Sequence, residues 1–182
     1  MDIIALQHKI ALMRDETAYK KLFLHFYSGL LRFSITYVKQ KEIAEEIVSD
    51  VLLKVWTMEK ALLDVSNAKV YLFCAVKNSS INFLVKNRKY TTWDIDQVAP
   101  SSLVELSTPM ESMLDAELKE KIEKCVKALS PKCRMAFMLN RQDGLSYREV
   151  AEIMEISLNT VDRHLQLAQQ KLGAALSVYL DR

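Results

Sequence analysis

Apolar residues recur every three or four positions over most of the chain. Tyr19, Leu22, Phe23, Phe26, Tyr27, Leu30, Leu31 and Val38 form one series, and Ala44, Ile47, Val48, Val51, Leu52 and Val55 a second. Each draws one apolar stripe along a helix, with Glu45, Glu46, Asp50 and Lys54 largely off it. A third helix is predicted over residues 67–90. It places Tyr71, Cys74, Ala75, Asn78, Ile81 and Val85 near one face, Lys69, Lys77 and Lys86 on the rest, and Asn67 as its cap. Three helices with short joins predict a compact bundle.

The pattern lapses over residues 91–109, where Pro100, Ser101, Ser102, Ser107, Thr108 and Pro109 stand without a sustained period. A stretch this long reads as a flexible interdomain linker. Periodicity then resumes. Leu118, Ile122, Cys125, Val126 and Leu129 mark a helix from Asp115. Ser130 and Pro131 supply a cap and a first-turn proline for a second, which Asp143 and Gly144 end. Ser146 with Glu149 makes a capping box for a short third helix holding Val150, Ala151 and Ile153. Ser157 caps a fourth, striped by Leu158, Val161, Leu165, Ala168 and Leu172. The expected architecture is all-α. A helical domain over residues 10–92 and a four-helix domain over 112–178 are joined by a linker over 93–111.

Composition agrees with helices: the 182 residues include only three Gly and three Pro, too few for a turn-rich β fold. Half are hydrophobic, enough for packed cores. The net charge of +2 is uninformative, but its distribution is not. Residues 66–93 carry Lys69, Lys77, Lys86, Arg88 and Lys89 and no acid; residues 94–123 carry eight acids and two lysines. Residues 124–182 are again net basic. Two basic regions around an acidic middle fit two contacts with a polyanion, and equally fit solvated helix faces. Cys74, Cys125 and Cys133 are widely spaced and not placed for metal with His8, His25 or His164, so no metal is expected. Reduced cysteines, an N-terminus unlike a signal peptide and no membrane-length apolar run point to the cytoplasm. No phosphate-binding glycine loop, catalytic dyad or nucleophile motif appears. The expectation is a protein that is not an enzyme, with neither cofactor nor small-molecule substrate.

The richest stretch is GLSYREVAEIMEISLNTVDRHLQLAQQKL, residues 144–172. Two capped helices meet at a tight turn near residues 154–156, with small Ala151 and apolar Val161 where they would pack. That is the helix-turn-helix pattern, whose second helix enters the DNA major groove N-terminus first. Here that helix offers Ser157, Asn159, Thr160, Arg163 and His164, among which Asn suits adenine and Arg suits guanine. Arg148 is placed for a phosphate.

The segment LSPKCRMAFMLNRQDGLSYREVAEIMEISLNTVDRHLQLAQQKL resembles region 4 of extracytoplasmic-function sigma factors of the sigma-70 family. The likeness runs through Leu129, Pro131, Arg134, Phe137, Leu139, Gly144, Leu145, Ser146, Tyr147, Glu149, Ala151, Glu152, Ile156, Ser157, Thr160, Val161 and Leu172. AEEIVSDVLLKVW, residues 44–56, resembles region 2.2 of the same family, and Tyr71 through Lys89 resembles its following helix. Three positions depart: Glu155 stands where the turn commonly has Gly, and Asn82 and Val85 where the family often has Asp and Arg. The resemblance implies a factor that directs bacterial core RNA polymerase to promoters. Region 4 would read the −35 duplex. Region 2 would bind the polymerase clamp through Glu46, Asp50 and Lys54, and bind and melt the −10 element through Asn67, Lys69, Lys77, Asn78, Asn82, Lys86, Arg88 and Lys89. It also implies capture of a flipped base by the loop over residues 58–67. Core polymerase and promoter DNA are the implied partners, with an anti-sigma factor as a further candidate and no insertion into the membrane.

Two other readings remain open at this point. A helix-turn-helix regulator of the response type would need an α/β receiver domain, which the helical first half does not supply. An all-helical protein adaptor would need neither the acid-free basic helix nor the groove-reading set.

Overall fold

The computed structural model describes residues 1–87 and 113–180, with side chains over 1–87 and 120–174. All regular structure among them is helical. The chain falls into two compact units, Met1–Thr92 and Trp93–Arg182. The linker expected over 93–111, together with Arg88, Lys89 and Tyr90, lies outside the described residues.

In the first unit, α1 (Ile3–Met13), α2 (Glu16–Val38), α3 (Lys41–Thr57) and α4 (Ala68–Lys86) are joined by short turns, with a 3-10 helix at Glu59–Asp64. The N-caps are chemical: carboxylates of Asp2 and Asp15 accept from the amides of Ala5 and Ala18, and Asn67 Oδ1 from that of Val70. Each satisfies an amide that the helix itself leaves unpaired, worth about 1 kcal/mol. α2 packs on both α3 and α4, while α1 lies against α2 and the 3-10 helix. Leu22, Leu30, Leu52, Leu62, Leu72 and Phe73 are fully buried, each contributing roughly 1.5–3 kcal/mol. Phe33 and Phe73 meet edge to face, and the hydroxyls of Ser34 and Ser80 pair at 3.1 Å between α2 and α4.

α1 adds a fourth helix to the three that periodicity predicts. Its apolar residues lie all round the cylinder, and the face it buries is Gln7, Ile10 and Ala11, with an amide at its centre. No clean stripe announces it. α4 differs in phase. The buried residues are Ala68, Val70, Leu72, Phe73, Val76, Lys77, Ser80 and Leu84, while Asn78 and Val85, expected on the apolar face, are exposed. Tyr71 and Cys74 are only half-buried. The period was legible but its phase was off by about one residue, because small and aromatic residues sit on several sides of this helix. Lys77, expected on the outer face, is a buried residue at 7% exposure.

In the second unit, α5 (Met113–Lys127), α6 (Pro131–Arg141) and α7 (Tyr147–Met154) each pack against α8 (Leu158–Leu180). Pro131 opens α6, but Ser130 makes no side-chain cap bond. The stabiliser of this corner is Arg134, buried at 6% exposure, whose Nη2 donates to the carbonyls of Lys127 and Leu129. The first is a carbonyl that the end of α5 leaves open, and the second lies in the turn before α6. Gly144, at φ +64°, ends α6, and the amide of Leu145 returns to the carbonyl of Leu139. Leu139, Leu145, Val150, Ile153, Val161 and Leu165 close the core, whereas Leu158, expected in the stripe of α8, is exposed.

Candidate nucleic-acid and polymerase interfaces

The pair α7–α8 is built by caps at both ends of one turn. Ser146 Oγ accepts from the amide of Glu149 at 3.3 Å, and the Glu149 carboxylate accepts from the amide of Ser146 at 2.7 Å. This is the full capping box that the sequence predicts. At the other end Glu155 takes the left-handed conformation, φ 56° and ψ 44°. Its amide donates to Glu152 and that of Ile156 to Ala151, a Schellman closure. Ser157 then caps α8: its Oγ accepts from the amide of Thr160 at 3.1 Å and lies 2.8 Å from the Thr160 hydroxyl.

This geometry sorts the candidate residues. Val161, Leu165 and Ala168 face the core, so Asn159 and Arg163 stand exposed on the opposite side near the start of α8. Gln166 and Gln170 continue that face at helical spacing and are exposed too. Their offsets from Asn159 and Arg163 mark them as part of the same face, beyond the set that ends at His164. Gln166 donates to the Asp162 carboxylate at 2.8 Å. Arg148 is exposed in the first turn of α7. The hydroxyls of Ser157 and Thr160 are engaged in the cap. His164 is half-buried, and its Nε2 is buried with no hydrogen-bond partner. Burial, then Lys132 and Arg163, hold its imidazole below the usual range. Its backbone carbonyl accepts from the buried thiol of Cys133 at 3.0 Å. In this conformation His164 packs rather than reaches outward.

In the first unit, Glu46, Asp50 and Lys54 lie exposed along α3, one turn apart, with exposed Leu53 beside them. Glu46 and Asp50 line a groove of about 300 Å3 shared with α4, together with Ile43, Ile47, Ser79, Asn82, Phe83 and Lys86. The structure thus joins two of the residues assigned to polymerase with Asn82 and Lys86, assigned to DNA. Asn67, the cap of α4, and Asn78 on that helix are exposed outside the groove, and Lys69 is half-buried. Burial first, and then Lys69 and the N-terminal amine, hold the His25 imidazole below its ordinary pKa. Among the described residues no group of three or more potential metal ligands occurs, and no helix is long and apolar enough to cross a membrane.

Comparison with known proteins adds a family to this geometry. Residues 22–90 match the model for sigma-70 region 2, and residues 119–172 that for sigma-70 region 4. The ECF RNA polymerase sigma-E factor of Escherichia coli K12 is 25% identical over 165 residues, covering 87% of this chain and 86% of its own. The RNA polymerase sigma-H factor of Pseudomonas aeruginosa is 22% identical over 174 residues, covering 91% and 90%. The fold is similar to that of CnrH solved with the cytosolic domain of CnrY, with a TM-score of 0.55 and 16% identity, covering 96% and 97% of the two chains. It is also similar to the sigma factor RpoE of Bartonella quintana solved with the anti-sigma factor NepR, with a TM-score of 0.58 and 22% identity, covering 88% and 97%.

Proposed function

Starting from a chain that belongs to the sigma-70 family, of the extracytoplasmic-function type, and that directs RNA polymerase to promoters for transcription initiation, we propose how its two units divide that work. The second unit reads the −35 duplex through the start of α8. The observation that carries this is the exposure of Asn159 and Arg163 at a helix start fixed by the Schellman turn and the Ser157 cap. Fixed backbone makes side-chain readout specific. Each bidentate contact discriminates between bases by about 1–3 kcal/mol. Gln166 extends the same face and Arg148 takes a phosphate. Ser157 and Thr160 act mainly by holding the helix start.

The first unit holds polymerase through α3 and the −10 element through α4. Glu46, Asp50 and Lys54 offer charge to a partner surface, and exposed Leu53 offers apolar area among them. Asn67, Lys69, Asn78, Asn82 and Lys86, with Arg88 and Lys89 beyond the described residues, supply polar and cationic groups to DNA. Lys77 is buried and contributes field rather than contact. Melting exposes unstacked bases, which the loop over residues 58–67 captures. Duplex opening is offset by contacts to the displaced strand, so no residue performs bond chemistry and the protein is not an enzyme. It acts where polymerase acts, in the cytoplasm. An anti-sigma factor, as in the Bartonella quintana complex, is a further proposed partner.

Two variants test the division. Arg163→Ala is expected to lower promoter-specific transcription roughly 5–150-fold, the equivalent of one lost bidentate contact, with core-polymerase affinity kept. Glu46→Ala with Asp50→Ala is expected to weaken core binding instead. Equal loss of both activities in both variants would overturn the division.

A further inference from the structure

We infer that α1 is a positioning element for the loop over residues 58–67, and that Gln7 is its positioning residue. The inference rests on the reading of that loop as the site of base capture. Gln7 is the buried polar residue of α1, at 5% exposure. Its Nε2 donates to the carbonyls of Leu62 at 2.6 Å and Val65 at 2.7 Å. These belong to a segment more than fifty residues away, at the end of the 3-10 helix and its C-cap. Both amide hydrogens are thereby used on one strip of backbone. An apolar side chain at position 7 would leave the Val65 carbonyl without this donor and the Leu62 carbonyl with only the Val65 amide.

A second tether comes from the end of the same helix. Arg14 pairs with Glu59 at 2.7 Å and stacks over Trp56 at 4.7 Å from the ring centre. Arg14 and Glu59 are both in the left-handed region, each at φ 49°. Two strained corners are thus joined by one ion pair. The loop is held at its start by Arg14, in its middle by the buried Leu62 side chain, and towards its end by Gln7. Between and beyond the tethers Leu63, Asp64, Ser66 and Asn67 stay exposed. Asn67 leads directly into α4, where it caps the helix carrying Lys69. The contacts from α1 therefore fix where Ser66 and Asn67 stand relative to the DNA-facing side chains of α4.

The test uses polymerase holoenzyme formed with Gln7→Met or Arg14→Ala, and single-stranded non-template oligonucleotides of a −10 element mapped by run-off transcription. An abasic site is placed at each position in turn. With the natural chain, one position is expected to lose affinity at least tenfold when its base is removed. Both variants should reduce that penalty to under about threefold, while affinities for core polymerase and for −35 duplex stay within twofold. A merely structural role would lower all affinities together. If no position carries a penalty with the natural chain, base capture itself fails and the inference with it. If the penalty exists and survives in both variants, α1 does not position the loop. Should Gln7→Met lose core binding through misfolding, the exposed Arg14→Ala decides: an intact penalty overturns the inference and a collapsed one supports it.

Discussion

Glu155 holds a backbone conformation that favours glycine, because the αα turn needs a left-handed residue there. The strain costs on the order of 1 kcal/mol. Glu155→Gly is therefore expected to raise the thermal midpoint of the second unit by about 4 °C, measured by calorimetry on the whole chain. An unchanged or lowered midpoint would show that contacts of the Glu155 side chain outweigh the strain. His164 gives a second expectation. Its folded-state pKa lies below its ordinary value of 6.5, so the unfolded chain takes up the proton first as pH falls. The stability it contributes is present above about pH 6.5 and is lost as pH drops towards the folded pKa. His164→Phe should flatten the fall in stability between pH 7.5 and 5.5 relative to the natural chain; parallel curves would contradict it. At this scale the sequence identified the strained turn and the exposed Asn159 and Arg163. It did not reveal that His164 and Lys77 turn inward, because single polar residues at a helix flank follow packing, not period.

Elements were legible where local chemistry marks their ends. Ser146, Glu149 and Ser157 cap as the sequence predicts, since a capping box is decided by three or four neighbouring residues. Ser146→Ala removes the partner of the Glu149 amide. It is expected to cost about 1 kcal/mol and to speed amide exchange in the first turn of α7 ahead of α8, as followed by hydrogen exchange. Equal acceleration along both helices would mean that α7 and α8 open as one unit, with no separate role for the cap. Where long-range contacts decide, the sequence was silent. Ser130 precedes a helix and does not cap it with its side chain; the long-range contact at this corner is Arg134, which donates from within α6 to the carbonyls of Lys127 and Leu129. α1 carries no stripe because the face it buries is centred on an amide that answers carbonyls of the 3-10 segment. The face of α4 was misjudged by a residue because its neighbours α2 and α3 both claim it.

For the whole molecule, scarce Gly and Pro and sustained helical period imply an all-helical chain, and a break in that period implies two units. The chain falls into two compact units, and its sequence matches regions 2 and 4 in that order. Charge distribution adds a second large-scale pattern: α4 lacks acids along its whole length, while the segment after it is strongly acidic. Such a layout fits contact with a polyanion, whose affinity would fall with salt because each neutralised phosphate releases counterions. The groove between α3 and α4 could not be read from sequence, because it brings together residues more than thirty positions apart.

Run-off transcription with bacterial core polymerase, with and without this protein, on a genomic fragment library bears most directly on the assignment. Discrete new transcripts starting at a fixed distance downstream of a shared two-part motif are expected, and they should weaken roughly 5–150-fold when Arg163 is replaced by Ala. Failure to bind cognate core polymerase, with no new starts on any fragment, would contradict a promoter-directing role.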